Sequence, residues 1–236
     1  MNWLTNFLTS SIGQKVVMSF TGLFLVTFLA AHLSGNLLLF IDDGGEGFNT
    51  YAYFMTTNPL VKALSIGLYA GFALHAWQGL ALWLKNKKAR GSSSYAVKAL
   101  NASSSHAPKR ASAHAALLGT IILVFLGIHM GDFWYNMKFT ESIAMVTYPG
   151  TDHAVKDLYS KVMLSFSQWW IVLFYVIAMI VLAFHLLHGF WSAFQTLGLT
   201  HKKYSPIIRG VGLVYSIIVP FVFAAIPVYM YFIQNS

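Results

Sequence analysis

The sequence predicts an all-α integral membrane protein built as a bundle of five transmembrane helices. Of its 236 residues, 57% are hydrophobic and 9% are charged, whereas soluble domains carry about 25% charged residues. A helix that crosses a bilayer needs about 20 predominantly apolar residues. Five stretches meet that requirement, and we expect residues 1–236 to form one domain around them, with spans at approximately 16–40, 62–84, 113–135, 169–194 and 207–233.

Basic residues alternate between the connections and predict the orientation of the chain. Eleven of the 15 lysines and arginines fall before the first span, between spans two and three, or between spans four and five. The seven acidic residues all lie in the other connections or, for Asp132, at the outer end of the third span. Since basic loops stay in the cytoplasm, the N-terminus is predicted to be cytoplasmic and the C-terminus external. The net charge of +8 therefore reflects topology, and nucleic acid is not an expected partner.

The segments outside the spans carry their own signals. Residues 1–15 are predicted to be a retained interfacial segment, because they lack the features of a cleaved signal peptide. Gly44, Gly45 and Gly47 mark the first external turn. Residues 91–112 are expected to form a cytoplasmic connection with a short surface helix. The external connection 136–168 is long enough for a helix starting at a Thr151 or Asp152 cap, and Pro220 and Pro227 should bend the last span.

Five of the nine histidines lie inside predicted spans, and this is the central observation. Ionisable side chains are costly in hydrocarbon, so they usually face the bundle interior and serve a function. A single intramembrane histidine is more often a packed, hydrogen-bonded side chain than a ligand. Here four different spans supply at least one histidine each, and scattered structural histidines would have no reason to be distributed in this way. They are His32, His75, His129, and His185 with His188.

Depth in the membrane pairs these histidines. With a rise of about 1.5 Å per residue, His32 and His129 both lie toward the outside, and His75 lies slightly toward the cytoplasm. His185 is closer to the level of His75 than His188 is. Gly71 and Gly79 flank His75, and Gly189 follows His185 by four residues, which would leave room for a flat macrocycle. Close helix packing is the alternative reason for these glycines. His185 is therefore preferred to His188 as a ligand.

Two histidine pairs in an apolar bundle suggest two haems b with bis-histidine ligation. Histidine is a common axial ligand of haem iron, and helix bundles hold such groups between facing helices. Zinc or copper sites usually cluster their ligands at one depth, often with carboxylates or thiols. The chain has no cysteine, and no acid is expected inside a span. We therefore expect an electron-transfer role, with iron–sulfur clusters excluded from this chain.

Four segments, 19–36, 74–83, 126–134 and 185–204, resemble the cytochrome b membrane anchor of succinate:quinone oxidoreductases. The similarity is to the single-chain, five-helix, di-haem type that is also found in fumarate reductases, and it covers nearly the whole chain. It depends on the order and spacing of SFTGLFLVTFLAAHLSGN, LHAWQGLALW, LGIHMGDFW and HLLHGFWSAFQTLGLTHKKY. One departure is Ala183, where some di-haem relatives carry a carboxylate that serves a proton route.

The resemblance implies ligands, partners and location. His32 and His129 would bind the outer haem, and His75 and His185 the inner haem, with Ser19 near the inner propionates and His188 hydrogen-bonded nearby. A flavoprotein and an iron–sulfur subunit would dock on the cytoplasmic face. Electrons would pass to or from a quinone, commonly menaquinone, in the bacterial cytoplasmic membrane, and Asn36, Tyr51 and Trp134 are candidates for contacting it. The chain alone would not oxidise succinate.

Two alternative functions remain open at the level of sequence. One is a haem b anchor for another membrane oxidoreductase, such as a hydrogenase or a formate dehydrogenase. The other is a transporter with relay histidines, which would contain no haem and often has discontinuous helices or inverted repeats. The direction of turnover, succinate oxidation or fumarate reduction, does not follow from these residues.

Overall fold

The computed structural model describes residues 2–90 and 114–235, which are almost entirely helical. The helices are, in chain order, α1 (Trp3–Thr9), α2 (Ser11–Asn36), α3 (Glu46–Thr57), α4 (Pro59–Arg90), α5 (Ala115–His129), α6 (Asn136–Phe139), α7 (Leu158–Ser165), α8 (Trp169–Thr196) and α9 (Ser205–Asn235). A 3-10 turn, Leu37–Phe40, extends α2, and a π-helical turn, Met130–Tyr135, joins α5 to α6. Two short strands, β1 (Met145–Val146) and β2 (Val155–Lys156), pair antiparallel.

Five helical segments of the described chain are long and apolar enough to cross a membrane. They are Ser11–Phe40, Pro59–Ala89, Ala115–Phe139, Trp169–Thr196 and Ser205–Asn235. This confirms the predicted all-α architecture with five spans. Most of the helices extend beyond the predicted limits because a helix continues its backbone hydrogen bonds into polar sequence, where an apolar run has already ended. α9 continues through Pro220 and Pro227.

The connection before the fourth span differs from the prediction. Its helix, α7, begins at Leu158, and its N-cap is Asp157, whose carboxylate accepts a hydrogen bond from the Ser160 N–H. Thr151 instead closes a turn with Tyr148, so the predicted start at Thr151 or Asp152 is wrong. That turn lies between the two strands of the β1–β2 hairpin, with Val146 opposite Val155, and the helix begins after the second strand. The predicted cytoplasmic surface helix falls outside the described residues.

Contacts divide the chain into two compact units. Unit 1 comprises Met1–Phe28, Leu68–Ile121 and Val181–Ile218, and unit 2 comprises Leu29–Gly67, Ile122–Ile180 and Val219–Ser236. Each of the five long spans therefore contributes residues to both units. Unit 2 contains a buried cluster of hydrophobic side chains that includes Leu39, Phe166, Tyr175 and Met230.

Asn49 holds together the extramembrane cluster of unit 2, which we define as α3, β1, β2 and α7. Its side chain is buried, with 1% of its surface exposed. The amide nitrogen donates to the Tyr148 hydroxyl at 2.7 Å and to the Asp157 carboxylate at 3.0 Å. The amide oxygen accepts from the Tyr159 N–H at 2.8 Å. One buried side chain thus joins α3 to Tyr148, to the N-cap Asp157 and to the first turn of α7.

Replacing Asn49 with alanine should destabilise unit 2 measurably. The substitution removes all three hydrogen bonds of Asn49 and leaves the partly buried Tyr159 N–H without its acceptor, and a donor left unsatisfied away from water costs about 1–3 kcal/mol. For a chain of this size we expect a loss of about 4–8 °C in the thermal unfolding midpoint. Thr50→Ala, on the exposed side of the same helix, is the matched control and should leave the midpoint nearly unchanged. An equal midpoint for Asn49→Ala and Thr50→Ala would contradict this role.

Acid should weaken the same cluster through Asp157. Partial burial raises the pKa of this carboxyl, but hydrogen bonds from Ser160 and Asn49 outweigh burial and hold the pKa below its usual value. A depressed pKa stabilises the folded state above the unfolded value of about 3.9, and that contribution is lost as the pH falls through the folded pKa. We expect protease cleavage within residues 140–157 to rise below about pH 4. Asp157→Asn should abolish this pH dependence, and a persisting acid step would contradict the assignment.

Candidate metal centre

The first histidine pair lies within unit 1. His75 is in α4 and His185 is in α8, and their ring centroids are 6.2 Å apart with an angle of 78° between the ring planes. Both side chains are partly buried. Two helices that are 110 residues apart in sequence thus bring two imidazoles to one place, and the partner of His75 in this structure is His185.

A hydroxyl lies beside one ring nitrogen of His75. The Thr21 hydroxyl is 3.2 Å from His75 Nδ1, and backbone carbonyls of its own helix, Val17 O at 2.9 Å and Met18 O at 3.1 Å, are within reach of its single proton. A hydroxyl that donates to a carbonyl can only accept from His75. In that arrangement His75 Nδ1 carries the proton, and the lone pair of the neutral imidazole is on Nε2, the nitrogen available to a metal.

The second pair lies within unit 2. The ring centroids of His32, in α2, and His129, at the end of α5, are 5.9 Å apart with an interplanar angle of 81°. Aromatic rings surround them: Phe223 lies 5.6 Å from His32, and Phe125 stacks on His129 at 5.6 Å. The Tyr175 hydroxyl is 3.2 Å from His129 Nδ1. This centre is thus apolar apart from the hydrogen bonds to its histidines.

Both separations fit a pair of imidazoles that share one metal ion. A metal–histidine bond of about 2.0–2.1 Å, added to the radius of a ring with C–N bonds of about 1.33 Å, places two ring centroids roughly 6 Å apart when the rings face each other across the metal. Aromatic pairs in general span about 4.5–7 Å, so the distance by itself fits an edge-to-face contact equally well. The Thr21 hydroxyl beside His75 Nδ1 fits the ligand pair, because an Nδ1–H donated to it leaves Nε2 for a metal.

Glycines let helices approach the unit 1 pair. A Cβ at Gly22 would lie 3.2 Å from His75 Cε1, and one at Gly119 would lie 3.9 Å from His185 Cε1. A Cβ at Gly71 would meet the Phe24 ring at 3.1 Å, and one at Gly79 would meet the Met18 methyl at 3.4 Å. Helix packing therefore accounts for Gly71 and Gly79. Around Gly189, a Cβ would meet no atom of the described residues within 4 Å, which agrees with clearance for a macrocycle beside His185.

Polar atoms without partners also fit a prosthetic group with carboxylates. In unit 1, the Nε atom of Arg209 is buried and has no hydrogen-bond partner among residues 2–90 and 114–235. Its guanidinium stacks 4.2 Å from the Trp191 ring centroid. Because Arg is always charged and only donates, this side chain could receive a propionate of a haem held by His75 and His185.

The remaining sequence-predicted residues lie differently. In the described part of the chain, His188 has no hydrogen bond, ion pair or ring contact, so the structure does not place it against His75. Ser19 is buried, but its hydroxyl donates to the Lys15 carbonyl one turn earlier, at 2.9 Å. Asn36 donates to the His32 carbonyl at 2.7 Å. The Trp134 ring packs against Phe139, with centroids 5.2 Å apart.

Comparisons with known proteins add no identification. Scans of the chain against family models, curated proteins and solved structures find no match. Within the described ranges, no group of three or more His, Asp or Glu side chains could hold a metal ion. The candidate centres are therefore the two histidine pairs, and their ligation of haem stays a prediction.

Asp132 corrects the expectation that no acid lies inside a span. The third span continues to Phe139, and Asp132 lies in its π-helical turn, three residues after His129. Lys161 of α7 forms an ion pair with the Asp132 carboxylate and also donates to the Ser165 hydroxyl at 2.9 Å. π-helical turns often occur at functional sites. Lys161, the cation that pairs with Asp132, lies 29 residues further along the chain. Sequence spacing does not predict this pairing.

Thr21, Tyr175 and Arg209 are polar residues of these centres that the sequence did not single out. Thr21 and Tyr175 each contact one histidine through a hydroxyl, and both lie in apolar runs where a polar atom needs a partner. The need for a partner in an apolar run could have identified these residues from the sequence. It gives no indication of which side chain each of them contacts.

Proposed function

We propose that this chain is the di-haem cytochrome b anchor of a succinate:quinone oxidoreductase. The observation that carries the proposal is that each unit contains one pair of histidines, from two different spans, at the separation expected for two axial ligands. The four histidine segments occur in the same order as in that family. This resemblance favours the succinate:quinone oxidoreductases over other membrane cytochromes b.

The chain's residues serve binding and electron transfer. His75 and His185 would hold one haem b, and His32 and His129 the other, each through a ring nitrogen. With two protein ligands on each iron, no coordination position would be left for oxygen or substrate. A haem, when bound, supplies a one-electron couple. The phenylalanines that pack on His32 and His129 would exclude water there and lower the local dielectric, which influences the redox potential of such a group.

Other parts of the chain would serve assembly. Basic residues in the connections predicted to be cytoplasmic offer a docking surface for the iron–sulfur and flavoprotein subunits. Quinone, menaquinone in most proteins of this type, would exchange electrons at the anchor, within the bacterial cytoplasmic membrane. The chain is thus proposed to be an electron-transfer and quinone-reactive subunit that is inactive toward succinate alone.

Purification of the intact complex from native membranes tests this proposal. We expect a flavoprotein and an iron–sulfur protein to co-purify with the chain, and succinate to reduce its cytochrome b absorbance. Formate and hydrogen serve as comparison donors in the same preparation. Reduction by formate or hydrogen but not by succinate would assign the chain to another oxidoreductase. A preparation with no cytochrome absorbance would favour a transporter with relay histidines.

A further inference from the structure

Each histidine pair has one member whose Nδ1 atom is close to a hydroxyl. In unit 2, the Tyr175 hydroxyl lies 3.2 Å from His129 Nδ1, and the phenol is buried, with 7% of the residue exposed. In unit 1, the Thr21 hydroxyl lies 3.2 Å from His75 Nδ1. His185 has no hydrogen bond among the described residues. In each centre, therefore, one imidazole is paired with a hydroxyl from a different span, while His32 Nδ1 lies 3.4 Å from the Asn36 amide nitrogen of its own helix.

We propose that Tyr175 and Thr21 are positioning residues that accept the Nδ1–H of His129 and His75 and thereby set the redox potentials of the two centres separately. The proposal rests on the proposed function, because it takes these histidines to be axial ligands. Neither hydroxyl touches the reacting iron. Each acts through the histidine that it orients.

The direction of each hydrogen bond follows from ligation through Nε2, which requires the proton on Nδ1. Thr21 can accept that proton from His75 because two backbone carbonyls, at 2.9 Å and 3.1 Å, are available to its own proton. Tyr175 has one hydroxyl proton and could in principle donate to Nδ1, but His129 would then carry its proton on Nε2 and could not bind a metal. Ligation through Nε2 therefore requires Tyr175 to be the acceptor.

An acceptor on the outer nitrogen changes the electronic character of the ligand. It orients the ring and increases the basicity of the metal-binding nitrogen, which stabilises the oxidised iron relative to the reduced iron. Removing the acceptor should therefore raise the midpoint potential of that centre. For a one-electron couple, a tenfold change in the relative affinity for the two oxidation states corresponds to about 59 mV.

The two centres should respond unequally. The Tyr175 phenol is buried, whereas Thr21 is only partly buried, and a hydrogen bond is stronger where the local dielectric is low. His129 Nδ1 has Tyr175 as its hydrogen-bond partner in the described chain. Tyr175→Phe should therefore produce a larger shift than Thr21→Val. The phenylalanine keeps the packing of the ring against Phe166 and Phe125, whose centroids lie 4.9 Å and 5.0 Å away.

The test is a redox titration of the purified complex, followed by visible absorbance and by the low-spin electron paramagnetic resonance signals. Tyr175→Phe should keep two haems per chain and raise one midpoint potential, while the other stays at its wild-type value. Thr21→Val should raise the other potential by less, and the double variant should show both shifts. Tyr229→Phe is the matched control, since this tyrosine of unit 2 packs on Phe40 at 4.9 Å and should shift neither.

Two results would overturn the proposal. If both potentials of Tyr175→Phe equal those of the wild type while two haems are present, the hydroxyl does not act on a ligand. If Tyr175→Phe and Thr21→Val shift the same centre, the assignment of one hydroxyl to each pair is wrong. Failure of the proposed function gives a different result, because wild-type protein would then show no pair of b-type signals to titrate, or b-type signals that succinate does not reduce.

Discussion

Replacing either histidine of one pair with alanine is expected to lower the haem content from two to one per chain. His75→Ala and His185→Ala should remove the same haem, and His32→Ala and His129→Ala should remove the other. Loss of one axial ligand removes a metal bond and leaves the partner imidazole to hold the group alone. The measurement is the haem-to-protein ratio, with the reduced-minus-oxidised spectrum identifying which component is lost.

His188→Ala is the matched control for this series. It lies one turn from His185 on the same helix, and it makes no hydrogen bond or ring contact in the described chain, so two haems should remain. Loss of a haem in His188→Ala with retention of both in His185→Ala would contradict the pairing of His75 with His185. The same would follow if His75→Ala and His185→Ala removed different haems.

Among the substitutions outside the two histidine pairs, Lys161→Met should destabilise the protein the most. The change keeps the length of the side chain but removes the cation that pairs with Asp132, in a segment where the carboxylate is only 32% exposed. Hydrogen bonds to charged groups contribute about 1.5–3 kcal/mol, and loss of Lys161 also leaves the charge of the partly buried Asp132 uncompensated. We expect the thermal midpoint to fall by roughly 6–12 °C.

The double variant Lys161→Met/Asp132→Asn separates charge from packing. A neutral amide at position 132 needs no counter-ion, so the double variant should recover at least half of the loss. Lys138→Met, at an exposed position of α6, should leave the midpoint unchanged. If the double variant is no more stable than Lys161→Met alone, the uncompensated charge is not the cause of the loss.

The five spans could be predicted because hydropathy is a property of contiguous sequence. The helix caps and the connections depended on contacts between distant residues. Thr151, Asp152 and Asp157 are all capping residue types, and pairing of Val155 with Val146 across the hairpin places the helix start after Asp157. In the same way, Asp132 lies at the end of an apolar run, so it was counted with the external connection although the predicted span reaches residue 135. The π-helical turn and Lys161 from α7 instead retain it within the third helical span.

Within the candidate centres, the sequence identified the histidines but not their supporting side chains. Depth along each helix depends on a fixed rise per residue, so His75 could be matched with His185, and His32 with His129. The positions of the Thr21 and Tyr175 hydroxyls depend on how each helix is rotated about its axis. Packing between helices sets that rotation. Here the close approach of His75 to Gly22 and the aromatic rings packed on Tyr175 constrain it.

The most direct test of the account is the haem content of the purified chain, or of its complex, from haem-replete cells. A pyridine haemochrome assay, combined with protein quantitation by amino-acid analysis, gives the number of b-type haems per polypeptide. Two haems b per chain is the predicted result. A colourless protein, or one haem that survives substitution of either pair, would contradict the claim that both histidine pairs bind iron.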